Sequence, residues 1–489
     1  MKKYLTLLLL LFCLTALSQN KKTLTLQQVI ELAKTQSPAA LLAKNKFNNN
    51  YWEYRIYRTA TLPTLSLDAT LPNYFSSIRK IPTLNGDVFI QSKFINYEAN
   101  LAIKKKVGIT GGDIFMSSGI QGLTVYQPYG YTSFLSTPIS IGFSQPLFAY
   151  NNYKWLNKIE PLKYKKAKQQ YLEDMEDLSL RVSNIFFDLL LAQANVKLAE
   201  INKLTYDSLY TITKGRFGIG KIAENDLLQM ELNKLNADQG LAQAQLDLQV
   251  KSFQLRSFLG IKDGSEIELV SDFNAIRFFT VDVQKASSLA MQNRPSIIEQ
   301  EVQLIQSQSE VMRAKRENRF AVNLFGTYGL TQRAITLEEA YINPLDQQQF
   351  TVGFQVPIVD WGKAHAQIKM AMSNQELVKT SVEQSQADFQ QDIFIKVTTF
   401  NMQKQQLTIA AKSDTVAIKS FDIAKYRFLI GKIDIESLSL AQRSKETAHN
   451  SFYAALRTFW ESYFEIRKIT LYDFENDRLL DVNFSTLVN

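Results

Sequence analysis

Arg216-Phe217-Gly218-Ile219-Gly220-Lys221 returns 211 residues later as Arg427-Phe428-Leu429-Ile430-Gly431-Lys432. The same offset carries Gly142-Phe143 and Pro146 onto Gly353-Phe354 and Pro357, and Leu178, Val182, Leu189 and Val196 onto Phe389, Ile393, Phe400 and Leu407. Upstream the offset becomes 257: Ser37-Pro38 falls on Arg294-Pro295, and Leu65, Leu67 and Thr70 fall on Val322, Leu324 and Thr327. Constant offsets mean an internal duplication. The change of offset says that the first half holds about 46 extra residues between its strands. Each half reads helix, strand, excursion, strand, long helix, tight turn, helix. The repeats run over 24–275 and 280–475, with a tail at 476–489. A glycine at each turn supplies the positive φ that ends a helix, and the chain doubles back.

Proline placement supports this reading. Residues 162–294 and 358–489 contain none, so two long stretches are free for helix. The first carries a heptad seam, Leu178, Val182, Ile185, Leu189, Ala192, Val196 and Ala199, the spacing of packed, supercoiling helices. After Gly220 come two apolar stripes. One is Leu228, Leu232, Leu235, Ala242, Leu246 and Phe253; the other is Leu241, Ala244, Leu248, Leu255 and Phe258. Two stripes ask for neighbours on two sides. A helix from about Tyr153 to Thr213 is a rod of ~90 Å, which implies an elongated molecule.

The strand blocks alternate with period two. Leu65, Leu67, Ala69 and Leu71 oppose Ser66, Asp68 and Thr70; Ile139, Ile141 and Phe143 oppose Ser140, Gly142 and Ser144. Val322, Leu324 and Tyr328 oppose Asn323 and Thr327, and Phe350, Val352, Phe354 and Val356 oppose Thr351, Gly353 and Gln355. That pattern gives one apolar and one polar face. It suits both a half-wet soluble sheet and a membrane barrel, whose strands need roughly 9–11 residues to cross.

Lys2 and Lys3, an apolar core from Leu5 to Leu17, and Ala16-Leu17-Ser18 read as a secretory signal at 1–18. The chain of 489 residues has one Cys (Cys13), two His and a formal charge of +8. A disulfide framework and a Cys-based zinc site are excluded. No apolar run beyond the signal is long enough for a helical span. The basic excess is spread out, without the cluster nucleic-acid binding needs. No phosphate loop or nucleophile elbow occurs, and no cofactor or metal site is expected.

The duplicated R-F-x-x-G-K turn, the order of elements, and the strand exit Val356-Pro357-Ile358-Val359-Asp360-Trp361-Gly362-Lys363 resemble the TolC-type outer-membrane efflux proteins. Gln145-Pro146-Leu147-Phe148 looks like the same exit in the first half. The resemblance covers nearly all of the chain beyond the signal. It implies an α+β membrane protein. Long coiled helices would form a periplasmic tunnel, and four strands per chain, or six if the excursion at 72–136 adds two, would enter a trimeric transmembrane barrel. It also implies an exit duct for efflux or type I export, with no enzymatic step. Its partners would be a homotrimer, outer-membrane lipid, a periplasmic adaptor, and an inner-membrane pump of proton-driven or ABC type. Within the excursion, Asn96 to Ile109, a turn at Gly111-Gly112-Asp113 and Ile114 to Tyr126 read as a strand hairpin. It is either an external hairpin or part of the barrel.

By the resemblance, the turns around Arg216, Phe217, Gly218, Gly220 and Lys221, and around Arg427, Phe428, Gly431 and Lys432, are where an adaptor would dock. Family pore acids would fall near Ser437 and Leu440, so Asp434, Glu436 and Asp226 are candidates for a cation-attracting constriction. Asp226 and Glu436 equally suit the first turn of a helix. Trp155 and Trp361 follow strand blocks and suit either a membrane interface or junction packing. A structural or adhesive coiled-coil protein would explain the heptads, but not four strands at equal offsets. A secreted enzyme would need a convergent catalytic set, which is not found.

Overall fold

The computed structural model describes residues 22–84, 86–262, 266–271 and 276–488. The expected signal peptide and Cys13 lie outside them. The duplication is visible element by element. Helix α1 (Leu26–Gln36) and α2 (Pro38–Thr59) recur 257 residues on as α5 (Val283–Asn293) and α6 (Pro295–Glu317). Helix α3 (Asn152–Gly218) and α4 (Glu224–Leu259) recur 211 residues on as α7 (Lys363–Leu429) and α8 (Ile435–Thr470). Local chemistry sets these ends. Thr25 and Gln28 form a capping box on α1. Asp282 accepts from Lys285 N at 2.7 Å on α5. Pro38 and Pro295 each open the next helix, where a missing N–H costs nothing. Helices α3 and α7 each run 67 residues, about 100 Å at the standard rise.

The chain forms two compact units. One takes its described residues from Asn50–Lys166 and Ile298–Ser385, the other from within Met1–Asn49, Ala167–Ile297 and Gln386–Asn489.

The first unit holds a sheet of six strands among the described residues: β2 (Thr64–Thr83), β3 (Gly86–Val107), β4 (Gly112–Gln127), β5 (Tyr131–Leu147), β7 (Ala321–Ala334) and β8 (Leu345–Gln355), in that spatial order. Every pairing is antiparallel. The excursion therefore adds two strands, making six rather than four. Part of it also projects. Pairing of β3 with β4 ends at Lys93 opposite Gln127, whereas β2 and β3 stay paired out to Thr83 opposite Gly86. Proline cannot donate to a ladder, and the register breaks at Thr70/Asn73 and Ser136/Ser140 sit where Pro72 and Pro138 fall. The β3–β4 turn is tied down. Asn151 Nδ2 donates to Gly108 O at 2.9 Å and Ile109 O at 3.0 Å, while its Oδ1 accepts from Tyr153 N at the start of α3.

In the second unit the heptad seam is covered inside the chain over most of its length. Leu178, Val182, Leu189 and Ala192 are buried and Ile185, Val196 and Ala199 half-buried, while Phe389, Ile393, Phe400 and Leu407 are buried. The two stripes on α4 part company. Leu255 is buried and Leu241, Ala244, Leu248 and Phe258 are half-buried, but Leu228, Leu232, Leu235, Leu246 and Phe253 are at least half exposed. A short parallel pair joins β1 (Lys22–Thr25) to β6 (Ile267–Val270). A buried ion cluster ties α1, α3 and α8 together. Glu176 accepts from Arg467 Nε at 2.9 Å and Lys34 Nζ at 3.0 Å, and Arg467 Nη1 donates to Asp473 Oδ2 at 2.9 Å. Burial pushes the Asp473 carboxyl up, but the Asn476 amide, Arg467 and two backbone N–H groups outweigh it, and its pKa lies below the ordinary value.

Removing one partner of a buried pair strands the other charge. Glu176→Gln should therefore destabilise the protein by about 3–5 kcal/mol, read as a lowered denaturant midpoint at pH 7; an unchanged midpoint would discount the cluster. Because the Asp473 pKa is depressed, its contribution is present above the unfolded pKa, near 3.9, and lost as pH falls through the folded value. In Asp473→Asn the decline of stability below about pH 4 should be shallower.

Candidate functional site

The sheet has two chemically distinct faces. Following the registers, Leu65, Ile103, Met116, Ile141 and Tyr328 lie in one row, and every one of them is exposed. The same face carries Leu67, Leu101, Ile114, Phe143, Phe350, Val352 and Phe354, also exposed. The opposite face carries Ser66, Asp68, Asn100, Ser117, Ser140, Asn323, Thr327 and Thr351. An apolar face of this extent, open on six strands, is not what water tolerates; hydrocarbon against one face and water against the other satisfies both.

The two repeated turns share one backbone solution. Gly220 has φ +70° and Gly431 φ +74°. Gly220 N donates to Phe217 O at 2.8 Å and Lys221 N to Arg216 O at 2.9 Å; Gly431 N donates to Phe428 O at 2.9 Å and Lys432 N to Arg427 O at 2.8 Å. This is the Schellman closure, in which a left-handed residue lets two amides satisfy the last helix carbonyls. Nothing lies within 4 Å of a Cβ at either glycine, so the constraint is conformational, not steric.

The side chains then diverge. Phe428 is 5% exposed, in a cluster with Tyr206, Leu209, Met230, Phe421, Ile435 and Leu438, while Phe217 is 39% exposed. Arg216 donates to Phe428 O at 3.2 Å and to Leu429 O, with its guanidinium 5.9 Å from the Phe428 ring. It thus clasps the C-terminal end of α7, whose carbonyls attract a cation. Arg427 is exposed. A cavity of about 350 Å³ between the turns is lined by Arg216, Lys221, Asp226, Phe428, Gly431 and Asp434, among others.

Two of the three candidate acids, Asp226 and Asp434, therefore line one cavity, and Glu436 is exposed outside its lining. Asp434 is the N-cap of α8. Its carboxylate accepts from Ser437 N at 2.8 Å, and bonding to Ser437 holds its pKa below the ordinary value. Asp226 lies in the first turn of α4 and Glu436 in that of α8. Trp155 is on the first turns of α3, with Lys158 Nζ 5.3 Å from its ring. Trp361 has φ +53° between β8 and α7 and is 94% exposed. The Arg216 clasp has no counterpart in sequence reasoning; only the asymmetric filling of the two turns reveals it.

The family model described as outer membrane efflux protein matches residues 122–261 and 286–470, about two thirds of the chain. The chain belongs to the outer membrane efflux protein family. No curated protein sequence matches it significantly. Among solved structures it is similar to the Campylobacter jejuni CmeC outer membrane channel, with 14% identity, a TM-score of 0.66, and 94% of this chain and 88% of that one covered. The open state of the Neisseria gonorrhoeae MtrE outer membrane channel gives 15% identity and a TM-score of 0.62, over 91% and 88%. A membrane protein from Pseudomonas aeruginosa gives 14% and 0.65, over 94% and 92%. At these identities the likeness shows the fold, and the family match places this efflux protein in the outer membrane.

Gly220→Val and Gly431→Val should each strain the turn by about 1–2 kcal/mol and impair export while the protein still reaches the outer membrane. Loss of membrane insertion would mean the turns matter for folding instead. Arg216→Ala should lower protection of the α7 end in amide exchange, whereas Arg427→Ala should leave it unchanged.

Proposed function

We propose that the protein is the exit duct of a tripartite efflux or type I export system. It passively conducts substrates delivered by an inner-membrane pump, proton-driven or ABC type, through a periplasmic adaptor. The observation that carries this is the two-faced sheet, apolar toward lipid and polar toward a lumen, ending among the described residues in unpaired edges at β2 and β8. One copy leaves those edges open in hydrocarbon, where each unsatisfied backbone group costs several kcal/mol. A homotrimer removes them.

Helix α7 supports the trimer independently. Ile395, Met402, Ile409, Val416 and Ile423 recur every seven residues, each more than half exposed. A strict seven-residue stripe drifts off the face of a straight helix and follows a left-handed supercoiled neighbour. The exposed stripe on α4 is the matching surface on the adjacent copy. The helices then form the periplasmic tunnel. The adaptor meets the turns, where Phe217, Ile219 and Ile430 stand exposed beside Lys221 and Lys432. Three copies each of Asp226, Asp434 and Glu436 near a common axis would attract cations. Opening moves the helix pairs apart at that end, between two discrete packings. The duct uses no cofactor and breaks no covalent bond.

Ile409→Asp with Val416→Asp should convert the detergent-extracted trimer to monomers of unchanged helical content; a persistent trimer would refute the α7 seam. Asp226→Asn with Glu436→Gln should weaken block by multivalent cations in planar-bilayer conductance, and Asp434→Asn should do so while keeping the cap, since Asn also caps. Unchanged block in all of these removes the acids from the constriction.

A further inference from the structure

We infer that all six strands of each chain stand in the barrel wall, with β8 of one copy pairing antiparallel to β2 of the next, so that three copies close eighteen strands. This rests on the trimer proposed above.

Three observations carry it. First, β3 and β4 are interior to the sheet. They pair with each other from Phe94 opposite Val125 to Val107 opposite Gly112, and with β2 and β5 on their outer sides. At 22 and 16 residues both exceed the roughly 9–11 needed to cross a bilayer. Second, the exposed apolar face continues onto them. One row runs in register from Leu65 through Ile103 and Met116 to Ile141; beside it Leu101 lies opposite Leu67 and Ile114 opposite Phe143, while Ser118 and Lys105 are the polar positions in those two rows. An external hairpin would put that face in water and break two ladders at membrane level. Third, Asn151 fastens the β3–β4 turn to the start of α3, at the end of the sheet where β2 begins and β5 ends.

The outer edges fit each other. Six antiparallel strands leave β2 and β8 running in opposite directions, as a closing antiparallel junction requires. All eleven residues of β8 are exposed. Apolar side chains sit at odd numbers on β2 (Leu65, Leu67, Ala69) and even numbers on β8 (Phe350, Val352, Phe354). A one-residue slip would send one strand's apolar set into the lumen. The junction is thus confined to registers such as Leu67 opposite Val352. At equal tilt, barrel diameter grows about linearly with strand number, so the mouth is about 1.5-fold wider than a twelve-stranded one.

The test is a strand count in the wall of the detergent-extracted protein by electron cryo-microscopy. Paired cysteines give the contact: Leu65, Leu67 or Ala69→Cys combined with Phe350, Val352 or Phe354→Cys, in a Cys13→Ser chain. Eighteen strands, with disulfide-linked dimers and trimers from at least one pair, is the expected result. A trimer with twelve strands and β3–β4 outside the wall overturns this inference and leaves the duct reading standing. A monomer with an open sheet overturns both.

Discussion

Hydrocarbon offers a peptide group no hydrogen bond, and that fact governs most of this molecule. A sheet with lipid on one face needs both outer strands paired, yet this chain supplies a sheet whose β2 and β8 edges stay open. The chemistry of the two faces makes the problem acute. Exposed Leu67, Ile103, Ile141 and Val352 call for lipid, while Ser66, Asn100, Ser140 and Thr351 behind them call for water. The same incompleteness appears in the helices, where α4 and α7 each keep an apolar stripe uncovered. Both kinds of element point to neighbouring copies, and they do so through unrelated physics: backbone pairing in one case, side-chain burial in the other.

Duplication gives the fold its economy, and divergence gives it a working end. The two Schellman turns have the same backbone bonds because glycine can adopt the left-handed conformation in each. Their side chains play different parts. Phe428 is absorbed into a core cluster, Phe217 stays outside, and Arg216 reaches across to the carbonyls at the end of α7. One turn is therefore a socket and the other a clasp.

The candidate acids show how one residue serves two purposes. Asp434 caps α8 and also lines the cavity between the turns, so its charge is stabilised locally while it faces outward chemistry. Asp226 shares that cavity. Glu436, two residues on and in the first turn of α8, is exposed and is not among the residues lining that cavity.

The sequence by itself determined the duplication, the four long helices with their glycine turns, and the polar and apolar faces of the strands. Each of these is a periodic or local signal, and the offsets of 257 and 211 reproduce the bounds of α5 and of α7 and α8. The strand character of 96–126 was legible too. Whether that hairpin joins the sheet was not, because register is a long-range pairing that alternation alone leaves open. Nor could spacing tell the closed seam at Leu189 and Phe400 from the open one at Ile409 and Val416. Both are heptads, and only packing decides which is covered by the chain's own helices and which is left for another copy. The Arg216 clasp likewise needed the tertiary structure, since its acceptors are backbone carbonyls more than two hundred residues away and carry no sequence signature.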